Sequence, residues 1–248
     1  MYMEKNTFAS TFGKVAYYSS GTGKDIVFLH GWGQDFSCFE KIATALAAEY
    51  RVLGIDLPGF GESEIPRKAM SVSDYAAAFK ELLDELGITN PVIVAHSFGG
   101  RIALNYCAES GAEKLILVSS AGIRKRNFFL RLRVYRYKIL KKVYKDFFPK
   151  KHEKLIANSG SADYRKSTGV MREILVKAVN HDSRKDMKKI NCPAYLFWGL
   201  LDEETPYRNG LRMAKLIRGS ELITFYNSGH FCFLQEEKRF LRALKKIL

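Results

Sequence analysis

An α/β fold built on a mostly parallel sheet is expected from three features of the 248-residue chain. Short β-rich runs alternate with longer helical patterns, as crossover helices between parallel strands require. A serine stands on a small-residue turn between a strand run and a helical pattern. An aspartate and a histidine follow in turn, each after a later strand run, where open α/β sheets gather their sites.

The elements read in order. Ile26–Leu29 is a buried strand run, and Arg51–Ile55 is the next, reached after a helical stretch near 39–48. Tyr75, Phe79, Leu82, Leu83 and Leu86 keep helical spacing within 73–86, and Gly87 ends that helix. Pro91 opens the strand Val92–Ala95, 98–108 reads as a helix and Lys114–Val118 as a strand. The alternation stops at Gly122. Residues 128–148 are helical, with Phe128, Leu132, Tyr135, Ile139, Val143 and Phe147 on one stripe, expected to pack onto the core over Ser97. Strands resume at Ala194–Trp198 and Leu222–Tyr226, and Phe233–Leu248 closes as a helix. The organisation is therefore a core of 1–121 and 191–248 interrupted by a helical insertion, 122–190.

Composition bounds the function. A hydrophobic fraction of 47% supplies a core that needs no metal or disulfide to hold it. Cys38, Cys107, Cys192 and Cys232 have no paired or metal-type spacing and read as reduced thiols. No apolar run reaches the roughly 18 residues of a membrane span, and Met1–Phe12 lacks a signal pattern, so a cytoplasmic protein is expected. The net charge of +14 is concentrated: 122–190 holds 21 Lys+Arg against 6 Asp+Glu, leaving 19 basic and 20 acidic residues elsewhere. The helix at 128–148 carries Arg131, Arg133, Arg136, Lys138, Lys141, Lys142 and Lys145 off its apolar stripe. Those cations form either a solvated lid or a docking surface for an acidic carrier protein, an anionic substrate or an anionic membrane surface. No nucleic-acid recognition motif accompanies them.

The residues that carry chemistry lie outside the insertion. In Ala95-His96-Ser97-Phe98-Gly99-Gly100 a strained strand-to-helix turn lifts the Ser97 hydroxyl clear of the sheet, and small residues two before and two after it allow the turn. The hydroxyl is a weak nucleophile and needs a base. His230, in Ser228-Gly229-His230-Phe231, follows the strand ending at Tyr226; an acid at Asp202, with Glu203 and Glu204 competing beside it, follows the strand ending at Trp198-Gly199. The His30-Gly31-Trp32-Gly33 turn aims the Trp32 N–H at a developing oxyanion, and the Phe98 N–H is the second donor. His30 is expected to support that turn, His96 to pack beside the elbow, and Asp56–Ser63 to form an ordering Pro/Gly turn without chemistry of its own.

Taken together, His30-Gly-Trp-Gly, Asp56-Leu-Pro-Gly-Phe-Gly-Glu-Ser63, the Ser97 elbow, Trp198-Gly-Leu-Leu-Asp202 and Gly229-His230 resemble the α/β-hydrolase superfamily in order and approximate spacing. Within it the chain is similar to small capped carboxylesterases, the pimeloyl-ACP methyl ester carboxylesterases among them. Ala95 departs mildly from the glycine usual at that place. The resemblance implies an α/β-hydrolase fold with a helical cap, selects Asp202 over its acidic neighbours, and implies a Ser97, Asp202, His230 triad cleaving a small-molecule acyl substrate. No cofactor or metal is expected. Two other functions compete: lyase-type chemistry on the same triad, encouraged slightly by Arg101, and a catalytically silent binding protein, against which the intact triad argues.

Overall fold

The computed structural model describes residues 2–124, 128–151 and 161–248, the side chains at 128–134, 138 and 141 excepted. Eight strands form one sheet: β1 (Glu4–Ser10), β2 (Gly13–Ser20), β3 (Asp25–Leu29), β4 (Arg51–Ile55), β5 (Val92–His96), β6 (Lys114–Val118), β7 (Ala194–Gly199) and β8 (Glu221–Phe225). Their order is β1-β2-β4-β3-β5-β6-β7-β8, antiparallel at β1, β2 and β4 and parallel from β4 to β8. The described helices include α1 (Glu40–Leu46), α2 (Val72–Glu85), α3 (Phe98–Ser110), α4 (Phe128–Phe147), α5 (Ala162–Lys166), α6 (Gly169–Asn180), α7 (Arg184–Met187), α8 (Arg208–Leu216), α9 (Cys232–Gln235) and α10 (Glu237–Ile247).

The central strands are apolar on both faces because each face meets helices. Alternate residues Val27, Leu29, Ile93, Ala95, Leu115 and Leu117 face a core completed by Tyr75, Phe79 and Leu83 of α2 and Ile102 of α3. Ile26, Phe28, Val92, Val94, Ile116 and Val118 face the opposite core, with Phe39, Ile42, Phe240 and Leu244. Full burial of each such large side chain is worth about 1.5–3 kcal/mol. Register then positions the site. Leu29 pairs with Ala95, His96 with Val118, Val118 with Phe197 and Gly199 with Phe225, so the loops after β3, β5, β6, β7 and β8 all leave the same edge.

Several expectations are corrected. The N-terminal hairpin β1–β2 is not among the expected elements: β1 carries no strand-like apolar run, and the run Val15–Tyr18 of β2 is absent from the sequence reading. The expected helix over 233–248 is two, because Glu236 leaves helical geometry (φ −121°, ψ 46°). Its carboxylate accepts hydrogen bonds from the Ser228 hydroxyl and the Arg239 guanidinium. The stripe on α4 does not pack onto the core at its described positions: Tyr135, Ile139, Val143 and Phe147 are exposed. Phe128, Leu132 and the basic Arg131, Arg133, Lys138 and Lys141 lie outside the described side chains. It is α6 that meets the core, burying Ile174, Leu175 and Ala178 and setting Met171 against Gly59. The four cysteines are free, yet the fold brings Cys107 and Cys192 beside each other: the neighbouring Cys192 thiol and burial hold Cys107 well above the usual thiol range, and Cys107 lowers Cys192.

Candidate active site

Ser97 caps α3 with φ 47° and ψ −106°, a left-handed backbone that only a tightly determined turn sustains. The surroundings supply that determination: Ser97 N–H donates to Val118 O (3.1 Å), and Ala121 N–H donates to Ser97 O (2.9 Å). Gly99 is obligatory here. A Cβ on it would stand 2.5 Å from the Leu29 carbonyl oxygen and 2.7 Å from that of His30. Ser119, whose φ is 43°, is the one other described non-glycine residue in this region, and it too borders the site.

His230 and Asp202 meet from separate loops. The His230 Nδ1–H donates to Asp202 Oδ2 at 2.9 Å, with both residues buried. The loop that brings His230 there is pinned by Gln235, whose side-chain oxygen accepts from the Gly229 N–H (2.7 Å), and by Glu236 on Ser228. Asp202 also accepts from the Thr205 N–H at Oδ1 (2.8 Å), and the Thr205 hydroxyl lies 2.8 Å from Oδ2 and 2.9 Å from Ser119 O. A hydroxyl has one proton, so Thr205 serves one of those two oxygens at a time. Burial pushes the Asp202 carboxyl up, but the hydrogen bonds from His230 and Thr205 outweigh it and hold it below the usual range. Thr205 was missed by sequence reasoning; its signal is an Asp followed three residues on by Thr, a local side-chain-to-backbone turn. Of the competing acids, Glu203 is exposed, whereas Glu204 is exposed but sets Oε2 3.4 Å from His230 Nε2, on the face opposite Asp202.

His96 packs against the His230 ring at a tilt of 53° (centroids 4.7 Å apart), and its Nε2–H donates to His230 O at 3.0 Å. Burial, reinforced by the His230 charge, lowers its pKa to about 3, so it stays neutral and packs rather than acting as a base. Among the described residues its buried Nδ1 has no hydrogen-bond partner. The turn after β3 rests on this group: a Cβ on Gly31 would come within 2.7 Å of His96 Nδ1 and 3.4 Å of Ser97 Cβ. His30 ties that turn to the next loop, donating from Nδ1 to Gly31 O (2.7 Å) and accepting at Nε2 from Leu57 N–H (2.9 Å). Burial lowers its pKa. Asp56, buried, accepts from Phe36 N–H (2.8 Å), Glu62 N–H (2.9 Å) and the Tyr18 hydroxyl (3.2 Å), so the Asp56–Ser63 segment is an ordering turn.

Trp32, in the turn after β3, sits edge-on to Phe60 (4.9 Å) and Phe98 (5.3 Å). Phe98 is the first residue of α3, where a backbone N–H has no intrahelical acceptor. Arg101 turns away from this chemistry. It is buried, donates to His181 O (2.7 Å) at the foot of the insertion, and burial lowers it to about 10.

A sheet with this order, a strained serine after β5 and a buried Asp–His pair after β7 and β8 define an α/β hydrolase. Residues 25–237 match the family model described as alpha/beta hydrolase fold, and the chain belongs to that family, which makes it a hydrolase. The "AB hydrolase superfamily protein YisY" of Bacillus subtilis is 28% identical, over 88% of this chain and 89% of that protein. The "Pimeloyl-[acyl-carrier protein] methyl ester esterase" of Chromobacterium violaceum is also 28% identical, over 92% of this chain and 95% of its own length. Among solved structures, an esterase from Exiguobacterium antarcticum superposes with a TM-score of 0.77 at 25% identity, covering 98% of this chain and 99% of that one.

Proposed function

We propose that the chain cleaves a carboxylic ester or related acyl bond through a Ser97 acyl-enzyme, with Asp202 and His230 completing the triad. The observation that carries this reading is the buried 2.9 Å contact of His230 Nδ1 with Asp202, at the same edge of the sheet as a serine on a strained turn. With Nδ1–H committed to Asp202, the lone pair of His230 is on Nε2. That nitrogen takes the Ser97 proton as Oγ attacks the acyl carbon, and Asp202 stabilises the imidazolium. The Trp32 and Phe98 N–H groups receive the oxyanion, each such donor worth about 2.7–4 kcal/mol. Collapse breaks the bond to the leaving oxygen, which leaves with the proton from Nε2. Water, deprotonated by the same nitrogen, then releases the acid. The exposed Glu204 flanks Nε2 at 3.4 Å.

The insertion 122–190 acts as a cap over this site. Its basic surface suits an anionic or carrier-linked acyl substrate, in keeping with the carrier-linked ester in the name of the Chromobacterium violaceum relative. The lyase alternative loses its one residue-level support, since Arg101 is engaged by His181 O. Ser97→Ala is expected to lower ester turnover by about six orders of magnitude while the protein stays folded. Labelling by a fluorophosphonate probe, lost in the same variant, would separate an enzyme from a silent scaffold. A panel of p-nitrophenyl esters, thioesters, amides and an acyl-carrier ester defines the substrate. Near-normal turnover by folded Ser97→Ala protein would end this reading.

A further inference from the structure

Helix α4 combines two properties that seldom share one exposed surface. Over Phe128–Phe147 it has seven Lys+Arg and one acidic residue, Asp146, among twelve apolar or aromatic residues. Tyr135, Ile139, Leu140, Val143 and Phe147 are all exposed, Tyr135 by 63% and Phe147 by 73%, and Phe148 beyond the helix is exposed as well. At 3.6 residues per turn those five helical positions occupy one arc of about 140°. Single exposed apolar side chains are ordinary; a contiguous stripe of them marks a contact surface. Lys142 and Lys145, both exposed, lie along one side of the arc, and exposed Lys150 and Lys151 continue past the helix. Arg136 and the exposed Asp146 also fall inside the arc; the aliphatic stem of Arg136 can lie along apolar surface while its guanidinium reaches outward.

We propose that α4 lays this stripe on an anionic lipid surface, with its cations in the headgroup layer. Charge selects the partner, because the insertion holds 21 Lys+Arg against 6 Asp+Glu and the rest of the chain is near balance. The mixture of side chains selects lipid over an acidic protein. An interface takes Ile, Leu, Val and Phe into the acyl boundary, Tyr at the headgroup level and Lys or Arg beside phosphate, with no shaped complement needed. The helix lies on the surface and does not cross it: among the described residues no helix is long and apolar enough to span a membrane. The inference goes beyond acyl-bond cleavage and does not depend on it.

Flotation of the full chain with vesicles tests the idea. Vesicles of phosphatidylglycerol mixed with phosphatidylcholine should carry the protein, and pure phosphatidylcholine should carry far less. Added salt should weaken the binding. Lys142→Gln with Lys145→Gln should weaken it roughly 25-fold, about fivefold for each lysine near an anionic surface. Ile139→Ser and Val143→Ser should each cost roughly tenfold, as expected where apolar area enters the boundary layer. Unchanged thermal melts establish that these exposed variants fold. Ser97→Ala should float like the parent, so a failure of the hydrolase reading and a failure of this one are told apart. Absence of flotation on anionic vesicles overturns the proposal, as does flotation unaltered by both pairs of variants. Capture of an acidic carrier protein without vesicle binding would assign the surface to a protein instead. A dimer in light scattering, dissolved by Ile139→Ser and indifferent to vesicles, would assign it to a second copy.

Discussion

His230 presents its two ring nitrogens to two different environments, and the difference decides which carboxylate matters. Nδ1 faces buried Asp202 at 2.9 Å, while Nε2 faces exposed Glu204 at 3.4 Å. Only a carboxylate on Nδ1 leaves Nε2 free to take a proton from serine. Asp202→Asn is therefore expected to lower turnover by about 10⁴, since an amide favours the wrong tautomer. Glu204→Gln and Glu203→Gln should change it by no more than a few-fold in the same ester assay; a larger loss in Glu204→Gln would move the acid to the other nitrogen. His96, underneath, makes a separate prediction. Its pKa falls from an ordinary value near 6.5 to about 3, because burial disfavours the charged ring. Between those values the unfolded chain binds a proton that the folded chain refuses, so stability falls as pH drops from 6.5 toward 3. One such group contributes up to about 1.4 kcal/mol per pH unit. Urea melts at pH 7, 5.5 and 4.5 should show a shallower loss in His96→Gln than in the parent, with His30 supplying part of the remaining slope. Equal slopes would show that His96 is protonated in the fold.

At the scale of elements, the site is assembled by close backbone approaches that leave no space for side-chain atoms. Gly99→Ala places a methyl against two carbonyl oxygens at 2.5 and 2.7 Å, neither of which can move without breaking β3 or its turn. Overpacking of this kind costs about 1–3 kcal/mol, or a fall of roughly 2–12 °C in Tm for a chain of this size. An unchanged melt would mean the elbow is looser than its φ of 47° implies. This turn was legible in the sequence because small residues around a serine, between a strand and a helix, leave few other interpretations. The parallel strands were equally plain, since burial on both faces demands uninterrupted apolar runs. What escaped notice lacked such constraint. Strand β1, Glu-Lys-Asn-Thr-Phe-Ala-Ser, lies at the sheet edge and is at most half-buried, so its sequence carries no run. The break at Glu236 depends on partners from a distant loop. The exposed stripe of α4 reads as core by periodicity alone, because periodicity reports amphipathy and not what covers the apolar face.

Over the whole molecule, charge and chemistry are segregated: a nearly balanced α/β core carries the serine, acid and histidine, and the insertion carries the positive excess. Charge placed only for solubility would be spread over both parts. It is concentrated in a segment that leaves the sheet after β6, with its neck closed by Ser183 N–H donating to Gly122 O (2.8 Å); under the proposal that this segment caps the site, its field acts on the approach to Ser97. Such a field raises association rates of oppositely charged ligands roughly 10- to 1000-fold at low salt. It is also fragile, because the Debye length is about 8 Å at physiological ionic strength. The kcat/KM for an anionic soluble ester should therefore fall steeply as salt is added, while that for a neutral short-chain ester should barely move. Reversal of Arg136, Lys142 and Lys145 to glutamate should flatten the first curve and leave the second alone, since none of the three belongs to the catalytic machinery. Charge reversal is the sharper test than neutralisation, because it changes the sign of the field where the substrate enters. If both esters respond equally to salt, the basic residues are a solvated face and the substrate is selected by the shape of the pocket alone.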